Sequence, residues 1–76
     1  MSGIFVLEKV MSVIKVIEIM AESSVSWEDA ARQAVAKVTK TIHRVKSLYV
    51  ENHSVKIENG VITAYRISAK VSFELD

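Results

Sequence analysis

The side chains of this sequence that could do chemistry are few and widely spaced. The chain has two histidines, His43 and His53, and no cysteine, so a thiolate metal site is excluded and a structural zinc site is not expected. No nucleophile, base and acid stand in an arrangement that indicates covalent catalysis. Gly60 follows an asparagine, as in a tight turn and not as in a phosphate-binding loop. We therefore expect a protein that is not an enzyme.

The arginine, tyrosine and tryptophan side chains offer binding or packing chemistry. Arg66 lies on the polar side of a predicted strand, and its guanidinium suits an ion pair between subunits or a ligand contact equally well. Tyr49 and Tyr65 fit half-buried strand positions better than cofactor shelves. Trp27, at the start of a predicted helix, is interpreted as a packing anchor, and His53 as a solvated or interface residue and not a metal ligand.

Length and composition indicate one small domain that needs partners. The chain has 76 residues, of which 50% are hydrophobic, and its mean hydropathy is +0.25. A domain of this size buries only about 60% of the surface that its unfolded chain exposes. Without cysteine to form disulfides, oligomerisation is the usual remaining route to stability. We therefore expect a homo-oligomer.

The charge pattern and the N-terminal region exclude several partners. Ten basic residues face nine acidic ones, with a net charge of +1, and they are interleaved, so no nucleic-acid partner is expected. Charged residues interrupt the apolar N-terminal region (Glu8, Lys9, Lys15 and Glu18), whereas a membrane span needs about 20 apolar residues. No membrane partner is expected, and a cytoplasmic location is predicted. Residues 1–11 are interpreted as an N-terminal extension or an alternative start.

The first two predicted elements are a strand and a helix. Residues 13–19 are rich in β-branched side chains with apolar residues on both faces, which predicts a strand. A polar turn is predicted over residues 21–25. Ser26 and Asp29 then have the spacing of a capping box, and apolar residues at helical spacing predict a helix over 27–45. Its alanines make this apolar stripe thin, so the helix can lie close against a sheet.

Two further strands are predicted after the helix. Residues 47–57 are extended in pattern, and Asn59–Gly60 is a strong hairpin signal. Apolar and polar residues then alternate over 65–75, within a strand predicted over 61–75. This strand has about twice the usual length, so it should curl around the helix or reach into a partner. The order strand, helix, strand, strand gives an α+β fold, β-α-β-β, whose last two strands are antiparallel neighbours.

The chain resembles the dodecin family in the order and spacing of four motifs. They are VIKVIEI at 13–19, AESSVSWEDAARQAVAKVTKTI at 21–42, IENGVITAYRI at 57–67 and KVSFELD at 70–76. The resemblance covers a dodecin-like domain at 12–76. It implies a three-stranded antiparallel sheet partly wrapped around one helix, twelve subunits assembled into a hollow homododecamer, and a non-enzymatic binding or storage function.

The resemblance also implies where a small-molecule ligand would bind. In flavin-binding dodecins, flavins stack between tryptophans of neighbouring subunits and a glutamine on the last strand hydrogen-bonds the ring. The tryptophan aligns with Ser47 and the glutamine with Arg66, and Tyr49 lies two residues from Ser47 on the same strand face. Because Ser47 has no π face, flavin binding is expected to be weak or absent. The alternative is a flavin-binding dodecin that stores riboflavin or FMN through Tyr49 and Arg66.

A calcium-binding branch of the dodecins gives the favoured expectation. That branch also lacks the tryptophan and has the same Tyr-Arg-Ile run, here at 65–67. The resemblance therefore implies an oligomeric binding or storage protein of the calcium-dodecin type. Calcium needs several oxygen ligands, and an oligomer can collect them from symmetry copies. Glu51, Glu58, Glu74 and Asp76 all remain candidate ligands.

Overall fold

The computed structural model describes residues 12–75 and has the predicted order of elements. Strand β1 spans Ile14–Ser23, helix α1 Trp27–Thr41, strand β2 Val45–Glu58 and strand β3 Val61–Glu74. Both strand pairings are antiparallel, and β3 is central in the order β1-β3-β2. The α+β prediction of a three-stranded antiparallel sheet with one helix is confirmed. The predicted N-terminal extension, 1–11, lies outside the described residues.

The β2–β3 hairpin turns at the predicted dipeptide. Asn59 has a φ of 53° and Gly60 a φ of 77°, and this pair of positive φ angles is the conformation of a two-residue type I′ turn. Asparagine tolerates this region better than most residues and glycine has no Cβ to clash. The local sequence therefore fixes the register of the hairpin at its tip, where Glu58 pairs with Val61.

Strand β1 is longer than predicted. Its last three residues, 21–23, pair with 65–67 of β3, so the predicted turn over 21–25 is wrong for these positions. Two of the three, Glu22 and Ser23, are polar, but β3 is long enough to supply backbone partners along the whole of β1. Pairing satisfies backbone N–H and C=O groups that would otherwise need water, and it outweighs the local preference for a turn.

Helix α1 begins at the predicted residue and ends earlier than predicted, at Thr41 and not at Val45. Ile42 is extended, with φ −112° and ψ 127°, and its N–H donates to the Val38 carbonyl at 2.9 Å. Arg44 then has a positive φ of 60°, which turns the chain into β2. The prediction failed because Ile42 and Val45 continue the helical spacing of apolar residues although they lie beyond the helix.

The core between α1 and the sheet is thin. Among the residues that the structure describes, five apolar ones are buried there, and three of them are alanines: Ala30, Ala34, Ile67, Ala69 and Val71. Ala30 is fully buried against Ile67 and Ala69, so the helix lies close to the central strand, as its alanines predict. An open groove of about 360 Å³ runs between α1 and β1. Within 12–75, no helix has the length and apolar character needed to cross a membrane.

Candidate functional site

The face of the sheet opposite α1, called here the helix-free face, carries the predicted ligand positions. Strand side chains alternate between faces, and Ile67 and Ala69 pack against the helix. The intervening residues of β3 therefore project from the helix-free face: Arg66, Ser68, Lys70, Ser72 and Glu74. Ser47 on β2 shares that face, because it pairs with Ser72.

The structure brings two of the three predicted ligand positions together. The hydroxyl oxygens of Ser47 and Ser72 are 2.6 Å apart and form a hydrogen bond. Tyr49 pairs with Lys70, and its side chain is an exposed neighbour of Ser47, with 66% of the residue accessible. This part of the face presents two hydroxyls joined by one hydrogen bond and one exposed aromatic ring.

Arg66 lies elsewhere on the same face. It is 72 − 66 = 6 residues from Ser72 along β3, which at about 3.3 Å per residue is roughly 20 Å. A ligand the size of one flavin ring cannot touch Ser47 and Arg66 of the same subunit. The two positions could share a ligand only if a second copy of the chain brought them together.

Arg66 is held by an acid that no sequence pattern predicts. Glu22 on β1 lies directly opposite Arg66, and the Arg66 Nε donates to the Glu22 carboxylate at 2.6 Å. A second guanidinium nitrogen, Nη2, contacts the same oxygen. The pair joins residues 44 positions apart, so only the strand register reveals it. Arg66 is thus an ion-pair partner within one chain.

The candidate calcium ligands are separated and already paired within one subunit. Glu51 contacts Lys70 at 3.2 Å, Glu58 contacts Lys56 at 3.6 Å, and Glu74 lies between Lys46 at 3.7 Å and Arg44 at 3.9 Å. Glu58 stands at the hairpin tip and Glu74 at the other end of β3, about 40 Å apart along the strand. Asp76 lies outside the described residues.

No metal centre forms within one described subunit. Among residues 12–75, no group of three or more histidine or acidic side chains could hold a metal ion. His53, interpreted as something other than a ligand, has its ring edge-on to Trp27 at 5.6 Å between centroids. A cation site built from the described carboxylates, Glu51, Glu58 and Glu74, therefore needs residues from more than one copy.

The start of α1 is fixed by a hydrogen-bond network around two serines. The Ser26 hydroxyl accepts from the backbone N–H of Asp29 at 2.9 Å, which confirms one half of the predicted capping box. The other half differs, because the Asp29 carboxylate accepts from the Ser23 hydroxyl at 2.6 Å and from the Gln33 amide at 2.6 Å. These two hydrogen bonds, from Ser23 and then Gln33, lower the pKa of Asp29.

Trp27 acts as the predicted packing anchor. Its indole N–H donates to the Ser54 carbonyl of β2 at 2.9 Å. Its ring also meets His53 at 5.6 Å and Tyr65 at 5.2 Å in edge-to-face geometry. The single tryptophan thus ties the start of α1 to β2 and β3, and it lies on the helix side of the sheet, away from Ser47.

Comparisons with known proteins agree with this architecture. The sequence model of the dodecin family matches residues 13–76. The chain is 34% identical over 65 residues to calcium dodecin of Mycobacterium tuberculosis (strain ATCC 25618 / H37Rv), which covers 86% of this chain and 92% of that protein.

Solved structures give the same result. The calcium-chelating immunodominant antigen calcium dodecin from Mycobacterium tuberculosis superposes with a TM-score of 0.76 at 35% identity, over 86% of this chain and 93% of that chain. Dodecin from Streptomyces coelicolor superposes with a TM-score of 0.84 at 22% identity, over 88% and 96%, and shows the fold alone. With its β-α-β-β order, its helix packed on the central strand and this family match over nearly the whole described chain, the protein belongs to the dodecin family.

Proposed function

We propose that this chain is the subunit of a closed homododecamer that binds a small ligand or ion and does not catalyse a reaction. The observation that carries the proposal is the imbalance between core and surface. Among residues 12–75, only two large side chains, Ile67 and Val71, are fully buried. In the same described part of the chain, twelve large apolar residues are exposed: Val13, Ile14, Val16, Met20, Val25, Trp27, Val35, Tyr49, Ile57, Val61, Ile62 and Leu75.

This imbalance favours assembly over a free monomer. A small domain with so little buried apolar area lacks the burial that offsets chain entropy. The exposed apolar residues occur on β1, α1, β2 and β3, so several surfaces of each subunit need cover. Contacts on several sides are what a closed shell provides, whereas a two-fold dimer covers one patch.

Calcium is the ligand that the observations favour. The similar protein from Mycobacterium tuberculosis is named calcium dodecin, and its solved structure is described as having a calcium-binding site. In this chain the carboxylates Glu51, Glu58 and Glu74 lie on accessible strand positions. They are too far apart to share a cation within one subunit, so the site would form from symmetry copies of the chain.

The alternative is a flavin-storing dodecin. The exposed ring of Tyr49 beside Ser47 favours it, because one aromatic wall remains where flavin would stack. Two observations oppose it: the Ser47 hydroxyl is bonded to Ser72, and the Arg66 guanidinium is bonded to Glu22. A flavin stacked on Tyr49 alone would lack the second aromatic ring and the neutral glutamine donor that flavin-binding dodecins supply.

Native mass spectrometry tests the assembly, and calcium titration tests the ligand. Twelve subunits of 8.5 kDa give 12 × 8.5 = 102 kDa. The spectrum of protein exchanged into chelator-free buffer should show this mass, and calcium should add further mass and raise the melting temperature. Magnesium at the same concentration is the control. A folded monomer at micromolar concentration would refute the assembly, and an assembled protein indifferent to calcium would refute the calcium assignment.

A further inference from the structure

The Arg66–Glu22 pair has a geometry that would otherwise suit an anionic ligand. The guanidinium uses two nitrogens, Nε and Nη2, on one carboxylate oxygen. Arginine binds carboxylate and phosphate groups through this planar edge. Both side chains remain partly accessible, 36% for Arg66 and 44% for Glu22. A ligand approaching the helix-free face can therefore reach the pair, but the Nε–Nη2 edge of the guanidinium is already engaged by Glu22.

The other basic group of β3 on this face is neutralised in the same way. Lys70 contacts Glu51 from β2 at 3.2 Å, so each cation of the central strand is matched by an acid from a flanking strand. The face therefore offers little net positive charge to a phosphate. Of Arg66 and Lys70, only Arg66 has a planar guanidinium that can hold a phosphate through two donors. Within the described residues, Glu22 alone is hydrogen-bonded to that guanidinium.

We propose that Glu22 is a specificity-determining residue, which keeps ligands bearing phosphate or carboxylate groups off the helix-free face by holding the Arg66 guanidinium. Neutral ligands and cations are unaffected by this pair. Loss of the Glu22 charge converts Arg66 into an anion-binding position. The inference rests on the proposed function in one respect, that ligands reach this face in the assembled protein.

Riboflavin and FMN are the probes, because they share a ring system and differ by one phosphate. The test variant is Glu22→Gln. The matched control is Glu18→Gln, which removes the same charge from the same strand and face, opposite Lys70 in place of Arg66. We expect FMN to bind Glu22→Gln at least tenfold more tightly than the parent, with riboflavin changed by less than threefold. Glu18→Gln should change neither by more than threefold.

The double variant Glu22→Gln, Arg66→Gln should return FMN affinity to that of the parent, since the gain acts through the guanidinium. Equal gains in Glu22→Gln and Glu18→Gln would overturn the inference, because they would show a general charge effect. No gain in FMN affinity in Glu22→Gln would also overturn it. Native mass spectra of each variant report whether it assembles. Calcium titration of the parent tests the proposed function separately, so the role of Glu22 and the proposed function can fail independently.

Discussion

The serine at position 47 decides how a flat aromatic ligand would meet this face. Its hydroxyl is bonded to Ser72 on the neighbouring strand, and the nearest ring on the same face is Tyr49. An aromatic contact contributes about 0.5–1.5 kcal/mol beyond the area that it buries. A change of Ser47 to a larger ring therefore tests both the alignment with flavin-binding dodecins and the direction in which this side chain projects.

We expect Ser47→Trp to bind riboflavin at least tenfold more tightly than the parent, which corresponds to about 1.4 kcal/mol. Adding Arg66→Gln should contribute a smaller further gain, and in that variant Glu22 loses its partner. Fluorescence quenching of riboflavin measures the affinity. Arg32→Trp, on the exposed side of α1, is the control for a tryptophan added elsewhere. An assembled Ser47→Trp protein with no gain would show that the alignment is wrong.

Asp29 gives the protein a predictable response to acid. Its folded-state pKa lies below the usual 3.8 because of the hydrogen bonds from Ser23 and Gln33. A lowered folded-state pKa means that the carboxylate stabilises the fold fully above about pH 4 and loses this effect as the pH falls through the lowered value. We expect the melting temperature of Asp29→Asn to fall less between pH 5 and pH 2 than that of the parent.

Glu28→Gln is the control for this acid response. Glu28 is adjacent in sequence but is exposed and contacts only Arg32, at 3.6 Å within the described residues. The melting temperature of the Glu28→Gln protein should change with pH in the same way as that of the parent. All proteins are compared at one concentration, because association shifts melting temperatures. If the melting temperatures of Asp29→Asn and the parent fell equally between pH 5 and pH 2, Asp29 would not be the source of this acid response.

At the scale of elements, the junction between β1 and α1 depends on Ser23. This residue is 6% exposed, donates to Asp29 and accepts from the backbone N–H of Val25 at 2.9 Å. Without the Ser23 hydroxyl, the Val25 N–H and the Asp29 carboxylate both lose this hydrogen-bond partner, and a part-buried polar group left unpaired costs about 1–3 kcal/mol. Ser23→Ala should therefore lower the free energy of unfolding by about 2 kcal/mol in a denaturant titration, whereas Ser24→Ala, at the exposed next position, should change it by less than about 0.5 kcal/mol.

The sequence predicts well those element boundaries that are determined by the residue types at the boundary itself. Asn59–Gly60 identifies the hairpin because their positive φ angles are a property of these residue types. Ser26 identifies the helix start because its hydroxyl bonds the N–H three residues later. The end of α1 has no such cause, since Ile42 and Arg44 are ordinary helix residues by type. Only the pairing of β2 with β3 draws the chain out of the helix there.

The candidate site was predictable only in part, because its contacts depend on strand pairing and not on local sequence patterns. The alternation of β3 places Arg66 on a polar face from sequence alone. Its bond to Glu22 depends on the register between β1 and β3, which no local pattern encodes. Glu22 also lay within a predicted turn, so it was not assigned to a strand. The separation of Ser47 from Arg66 likewise depends on register.

At the scale of the whole molecule, the exposed apolar residues at the β2–β3 tip should be interface residues. Ile57 and Ile62 lie directly opposite each other and are 61% and 49% exposed. A carboxylate buried there without a partner is unfavourable. We expect Ile62→Asp to reduce the assembled fraction in sedimentation at micromolar concentration, with Thr63→Asp next to it as the control. Full assembly of Ile62→Asp would exclude the tip from the contacts.

The thin alanine-lined core has a consequence for how the chain acquires its structure at all. If most of the apolar burial occurs between copies, folding and association are one event governed by mass action. The midpoint of thermal unfolding should then rise with total protein concentration. The half-time of refolding should lengthen as the protein is diluted, because association involves more than one chain. Newly made chains would stay unstructured until enough copies accumulate, and finished shells would exchange subunits very slowly.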